Sequence, residues 1–464
     1  MNFASKNKNI DISIVDVFIL ITNDINPLKE ICSTIKKNFL PVFNKPILFY
    51  QFEFLERNNI KEVHIIVNHD DIEKTKEMIN KYKSSLKINY LEITNELSDI
   101  FTIIKNNLTK KNFLLIEADS ILSFNLGDFI DNHIDNNNLI TLILQKKNFE
   151  LNKMKFKPDD TIDAYGIDYN DNNRVVYYNK RKLGEDGEQF IINKRMFKRF
   201  SNFNFEMNYI DIGFYIINNS IFDLIENIKL SIENQKNDEK KNKLKNMMNN
   251  LKELVPYLIK KTFSKNLNMI LIEKYDNQLL KANRVKIGAK LINNENNIKS
   301  EYCYKIYDYS SYYHIIEEIQ KSYDEIRPIF FQTKNNQKNY FYNFADKIRD
   351  NLENNKKFND GIPELESISE NSYIADGIDN IEQKVIINKS VSDKNLNVQE
   401  GSKILSCIIG LNAKIGKNCI LKNCIIGNSC SIEDNCNISE CVIADNYKIK
   451  EKTEASQKIL SEEN

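Results

Sequence analysis

Two positions in the N-terminal quarter carry residue types suited to phosphate chemistry. Lys37 lies in a loop after the apolar run Ile14–Ile21, where an ammonium group could neutralise a phosphate. Asp119 ends the run Phe-Leu-Leu-Ile-Glu-Ala-Asp from Phe113, where a carboxylate could hold a magnesium ion bridging phosphates. The same aspartate could equally serve as a helix or turn cap. Around Lys37, residues 18–46 read FILITNDINPLKEICSTIKKNFLPVFNKP, the layout of a nucleotide-binding βα unit. That stretch has no glycine, and the first glycine of the chain is Gly127. A phosphate cradle needs close backbone approach and positive φ, which side chains hinder. The layout is present without the residue that makes it bind.

The elements that would position these groups alternate. Ile14–Ile21 predicts a buried strand, and Pro46 opens the helix ILFYQFEFLERNN. EVHIIVNH, KINYLEI, FLLIEADS and LITLILQK predict further strands, separated by the helical stretches DIEKTKEMINKYKSS, SDIFTIIKNNL and LGDFIDNHID. Such alternation predicts a mostly parallel sheet covered on both faces, with ligands beyond the carboxyl ends of its strands. YGIDYNDNNRVVYYN reads as an Asn-rich hairpin, and Gly213 in NYIDIGFYIIN as a close-packing or bulge position. The stretch 233–250 is a polar insertion, and LKELVPYLIKKTFS is an amphipathic helix kinked or restarted at Pro256. The tyrosine-rich segment Tyr302–Tyr323 suits either a recognition surface or packing between domains, with His314 a partly buried helix residue.

Bulk properties exclude several classes. Lys plus Arg and Asp plus Glu stand at 65 each in 464 residues, which gives no global pull toward nucleic acid or membrane. The longest apolar run, Val17–Ile21, is too short to span a bilayer, and the N-terminus lacks signal-peptide character, so a cytosolic protein is expected. Six of eight cysteines fall between 407 and 441 without a Cys-x-x-Cys pair, and the last histidine is His314. That spacing disfavours zinc.

From Ala375 onward large aliphatic residues recur in steps of six, six and five, so that 409, 426, 443 and 460 stand 17 apart. The grid extends back to Ser392 and Ala375. Three short sides per turn, each sending an apolar residue inward, describe a parallel β-helix solenoid. Ser402, Ala413, Cys419, Cys430, Cys436 and Thr453 share a small-residue place on the six-residue sides, and Cys407, Cys424 and Cys441 repeat at 17. These cysteines are expected as packed thiols. No histidine is available there as a base, which disfavours acyl transfer and leaves flat faces for assembly.

FLPVFNKPILFYQFEFLERNNIKEVHIIV and FLLIEADSI resemble the sugar-nucleotide pyrophosphorylase family. In that family a Gly-rich loop cradles the triphosphate and a signature lysine steadies the phosphates. Pro27, Leu28, Lys37, Leu40, Pro41, Val42, Asn44, Lys45, Pro46 and Asp119 match the pattern, but ITNDINPL stands where a Gly-x-Gly-x-Arg segment belongs. The resemblance implies vestigial nucleotide-binding positions at Lys37, Asn44, Lys45 and Asp119, with no catalytic residue, metal or cofactor. It also implies a Rossmann-like nucleotidyltransferase-type α/β domain over 12–325, a connector over 326–371 and a left-handed parallel β-helix over 372–460.

LKELVPYLIKKTFS, through Glu253, Leu254, Pro256, Tyr257, Leu258 and Phe263, and the solenoid SCIIGLNAKIGKNCILKNCIIGNSCSIEDNCNISECVIADNYKIKE are similar to the gamma-subunit family of eukaryotic translation initiation factor 2B. The epsilon subunit carries a further helical domain after its solenoid, whereas this sequence stops at SEEN soon after its last coil, which favours gamma. The resemblance implies a non-catalytic subunit of a guanine nucleotide exchange factor. It would pair with epsilon beside alpha, beta and delta subunits and act on GDP-bound initiation factor 2, without direct contact to nucleic acid or membrane. The other reading is a pyrophosphorylase of the GDP-mannose or ADP-glucose type, or an inactive regulatory subunit of one.

Overall fold

The computed structural model describes residues 14–21, 28–33, 35–43, 45–82, 84–94, 100–147, 161–182, 194–200, 202–233, 251–261, 285–293, 301–321, 372–374 and 380–462. Asn44, most of the ITNDINPL loop, the 233–250 insertion beyond its first residue, Phe263 and the connector 326–371 lie outside them. The chain divides into two compact units. One comprises 1–23, 51–148 and 160–304, the other 24–50, 149–159 and 305–464.

Among the described residues fourteen strands precede the repeat: β1 (Val15–Ile21), β2 (Pro41–Val42), β3 (Lys45–Pro46), β4 (Glu62–Asn68), β5 (Lys87–Ile93), β6 (Asn112–Glu117), β7 (Ser120–Ser123), β8 (Ile140–Lys146), β9 (Thr161–Asp168), β10 (Arg174–Lys182), β11 (Asn204–Glu206), β12 (Tyr209–Asn218), β13 (Ile287–Ile292) and β14 (Tyr302–Lys305). The main helices are α1 (Ile47–Arg57), α2 (Ile72–Asn80), α3 (Ile100–Asn107), α4 (Leu126–Asp135), α5 (Lys194–Arg199) and α6 (Ile221–Glu233). Ten strands form one sheet in the order β11-β9-β10-β13-β8-β12-β6-β1-β4-β5.

From β6 through β1 and β4 to β5 every ladder is parallel, which is the alternation legible from residue 14 onward. β8 and β13 are also parallel, with β12 inserted antiparallel between β6 and β8. The hairpin of β9 and β10 and the edge strand β11 complete the antiparallel side. β1 is apolar along nearly its whole length because both faces are covered. Phe113 and Leu115 pack on one face with Phe101 and Ile104 of α3, Ile225 of α6, and Leu254 and Leu258 of the helix Leu251–Lys261, which runs through Pro256. On the other face Phe54, Phe124, Phe129 and Phe214 cluster with ring centroids 4.8 to 6.0 Å apart. Burying one such ring is worth about 1.5–3 kcal/mol.

The C-terminal repeat forms three parallel sheets of six, five and four short strands, the architecture of the left-handed β-helix expected for this chain. Ile409 pairs with Ile426, Leu421 with Ile438 and Ile415 with Ile432, each 17 residues on. The grid slips once. Ser392 pairs with Ile374, not with Ala375, so the first coil holds one residue more. The reason is packing: Ile374 fills the inward site and is 3% exposed, a place the methyl group of alanine would leave hollow. Three corners per coil have positive φ, repeating at 401, 418, 435 and 452, at 406, 423, 440 and 457, and at 395, 412, 429 and 446. Asn occupies 395, 412, 418, 423, 435 and 446, being the side chain that best tolerates this geometry after glycine.

All six solenoid cysteines are free and buried. The small-residue place has a specific task. Ser402 Oγ donates to Gly416 O at 2.6 Å, Cys419 Sγ to Glu433 O at 3.1 Å, Cys430 Sγ to Ala444 O at 2.9 Å and Cys436 Sγ to Lys450 O at 3.2 Å. Each bond ties one coil to the next. Burial pushes the Cys430 thiol up to about 12.

Candidate functional site

Asp119 sits in a braced turn of the first unit. β6 ends at Glu117, Ala118 N donates to Leu20 O, and β7 begins at Ser120. Gln51 of α1, wholly buried, donates its Nε2 to Glu117 O at 2.9 Å and Ser120 O at 3.0 Å, clamping the turn from both sides. Asp119 is itself 8% exposed. Facing the strand end is Gly213, with φ of 79° in a bulge of β12. A Cβ there would lie 2.7 Å from Glu117 Cδ, so the sequence reading of a close-packing position holds. Asp211 closes the bulge by accepting from Gly213 N at 2.8 Å and Tyr215 OH at 2.6 Å. Burial first, then the charges of Asp211 and Glu117, hold the Tyr215 phenol well above its ordinary range.

Glu117, Asp119 and Asp211 therefore gather near the carboxyl end of the parallel strands, where ligands bind in such sheets. Among the described residues no three His, Cys, Asp or Glu groups converge for a metal ion, and both Asp211 oxygens hold protein donors.

The Leu-Pro-Val…Asn-Lys-Pro signature belongs to the second unit. Lys37 begins a single 3₁₀ turn, Lys37–Phe39, and is half-buried. β2 and β3 pair as a tight hairpin with Phe43 at φ of 50°. Lys45 is only 2% exposed, and its ammonium lies 4.3 Å over the Tyr50 ring. Tyr50 OH in turn donates to Val42 O at 2.7 Å. The structure thus places Lys37 and Lys45 in one segment and Asp119 in the other unit.

Three tyrosines of the helix Tyr309–Lys321 hold that segment and the solenoid. Tyr309 OH donates to the Glu30 carboxylate, Tyr312 OH to Pro41 O at 2.6 Å, and Tyr313 OH to Ser406 O at 2.9 Å. Asp445 of the solenoid accepts from Ser33 N and Oγ at 3.1 and 2.8 Å, and its own N donates to Glu30 O. These three tyrosines of the stripe pack within the second unit, where the sequence reading offered packing between domains or a recognition surface. His314 is half-buried on the same helix. Gln51, Glu30 and Asp445 escaped the sequence reading, although a glutamine inside the apolar run ILFYQFEFLE is a usable signal.

A nucleotidyltransferase-type sheet followed by a parallel β-helix defines the class. Residues 27–153 match the family model described as nucleotidyl transferase, and residues 361–460 the one described as GMPPB C-terminal domain. Among curated proteins, the chain is 25% identical over 247 residues to translation initiation factor eIF2B subunit gamma of Dictyostelium discoideum, covering 50% of this chain and 53% of that protein. It is 24% identical over 200 residues to D-glycero-alpha-D-manno-heptose 1-phosphate guanylyltransferase of Aneurinibacillus thermoaerophilus, covering 40% of this chain and 80% of that protein. The chain therefore spans about half the length of the initiation-factor relative. The resemblance to the gamma subunit seen in the sequence is met by a relative of that name and by domain matches in the same order. Among the described residues no helix is long and apolar enough to cross a membrane.

Proposed function

We propose that this chain is a non-catalytic gamma subunit of a guanine nucleotide exchange factor of the translation initiation factor 2B type. In this reading it pairs with an epsilon subunit, joins alpha, beta and delta subunits in the cytosol, and helps present GDP-bound initiation factor 2 for exchange. The observation that carries the reading is Lys45. The signature framework is retained, yet its ammonium is turned inward over Tyr50 and 2% exposed, in a chain with no glycine before Gly127. A lysine that serves phosphates must present its charge to them. Lys37, Asn44 and Asp119 are then remnants of a nucleotide site, and the elements around them serve as docking surface.

The guanylyltransferase relative favours a second reading, an active or regulatory sugar-nucleotide pyrophosphorylase. Gentle affinity purification from the native cells, with mass spectrometry of the co-purifying chains, separates the two. An epsilon-like chain with a helical C-terminal domain is the expected companion. Recovery of the protein alone, together with nucleotidyl transfer from a nucleoside triphosphate to a sugar 1-phosphate, would establish the second reading instead.

A further inference from the structure

The ten-stranded sheet ends in β11, which pairs with β9 alone among the described residues. Alternate backbone amides and carbonyls of an edge strand point outward, open to another strand, and most edges are shielded by charged side chains. β11 and its flanks instead set Phe203, Phe205 and Met207 at the two-residue spacing of one strand face. Phe205 is 40% exposed and Met207 47%.

The apolar row continues through neighbouring elements. Tyr177 of β10, Phe205, Phe203 and Phe197 of α5 lie at successive ring-centroid distances of 5.5, 5.2 and 5.7 Å. Phe197, at the end of the row, is 56% exposed. Gly166 pairs with Phe205 and leaves room for the row, since a Cβ there would lie 2.8 Å from Tyr177 Cβ and 3.3 Å from Phe203 Cδ2. Beside β11, exposed Tyr169 donates to Glu206 Oε1 at 2.8 Å. Of nine exposed large apolar side chains among the described residues, four therefore fall at this one edge. Clustering of that kind marks an interaction surface, where scattered exposure would not.

The charge around the row is positive. From Lys194 through α5 to Phe205 there are four basic residues and no acidic one. Lys194 and Lys198 are exposed, without an ion pair among the described residues. From 180 to 206 the sequence has seven basic residues to four acidic ones. Of the nearby carboxylates, Glu206 is held by Tyr169, Asp168 by Asn170 N at 3.0 Å, and Asp171 by Arg174 and Lys286. A second copy of the chain would bring another basic α5 to the same interface. A nucleic-acid base would need free ring faces, which the edge-on contacts among Tyr177, Phe205 and Phe203 use. An acidic peptide meets neither obstacle, and strand addition supplies it with backbone hydrogen bonds.

We propose that β11 is a docking edge for an extended, acidic segment of another protein, which adds to the sheet as an eleventh strand. Apolar side chains on one face of that segment cover Phe205, Met207 and Phe197, and its carboxylates lie against Lys194 and Lys198. Such docking is independent of the exchange-factor reading and would stand if that reading failed.

The test is fluorescence anisotropy of the full chain with labelled Glu-Val-Glu-Phe-Glu-Val-Glu-Phe, beside the same peptide with lysine for every glutamate. Saturable binding of the acidic peptide is expected, at least roughly tenfold tighter than that of the basic one. Phe197→Ser and Met207→Ser, both on exposed side chains, should weaken it by a similar factor, roughly tenfold. Leu230→Ser, at an equally exposed position on α6, should leave it alone. Hydrogen exchange at 204–206 should slow in the bound state. Absence of saturable binding, equal affinity for the basic peptide, or unchanged exchange at 204–206 would overturn the docking edge. Tighter binding of oligouridylate would give the row to nucleic acid instead. Dimers in sedimentation that Phe197→Ser abolishes would give it to a second copy.

Discussion

Tyr312 donates its hydroxyl to the carbonyl of Pro41 over 2.6 Å, joining positions 271 residues apart. The signature segment is therefore fixed by a helix that follows every strand of the ten-stranded sheet in the chain. Tyr312→Phe would leave a carbonyl without its donor beside a ring that is 3% exposed. A loss of about 1–3 kcal/mol is expected. Hydrogen exchange should show faster opening of residues 28–43 in the variant, and unchanged exchange there would refute the bond's role.

Gly213 and Glu117 are matched. Gly213→Ala places a side chain at φ of 79° and against the Glu117 carboxyl, so a loss of more than about 2 kcal/mol is expected. Adding Glu117→Ala should relieve the collision with the carboxyl and leave the contact with the Cβ at 117, 2.8 Å away, together with the backbone part. Urea denaturation of both variants measures this directly, and equal losses in the single and double variants would rule out the collision.

His133 sets a pH dependence. Burial lowers its folded pKa to about 4, below the ordinary 6.5, so the unfolded chain holds the extra proton between these values. Its contribution is fully present above about pH 6.5 and is lost as the pH falls through 6.5 toward 4. The size is roughly 3 kcal/mol for 2.5 pH units. His133→Gln should flatten that part of the stability curve. A variant with the same acid slope as the parent would show that other groups carry it.

The cysteines give a counting experiment. Seven of the eight are buried and Cys32 is half-buried. Ellman's reagent should therefore titrate at most one thiol quickly in the native protein and all eight in denaturant. Cys430→Ser should cost little, because Ser402 already makes the equivalent bond to Gly416 O. Cys430→Leu should lose about 1–3 kcal/mol by overpacking, read as a lower thermal midpoint.

Local pattern made the sheet and the solenoid legible. The alternation around β1, β4 and β6 lies within single elements, and Ile409, Ile426 and Ile443 repeat because each must fill the same place in its coil. The one slip, Ile374 for Ala375, arose where a small residue on the grid had a large one beside it. The candidate site was legible only as residue types. Its internal commitments depend on partners remote in sequence, such as Tyr312 for Pro41 and Asp445 for Ser33, and no period announces those. The sequence reading makes Lys45 a vestigial nucleotide-binding position, and only the fold places its ammonium 4.3 Å over the Tyr50 ring.

The three positive-φ corners of each coil make the solenoid a ruler with 17-residue graduations. Removing a whole graduation would shorten the domain while every remaining side chain keeps its direction. Removing a few residues inside a flat side would instead turn inward groups outward over the rest of that coil. The lengthened first coil marks where spare length has been absorbed, between Ile374 and Ile381, ahead of the regular stack. Changes of domain length in related chains should thus arrive as entire turns, or else collect at that entrance.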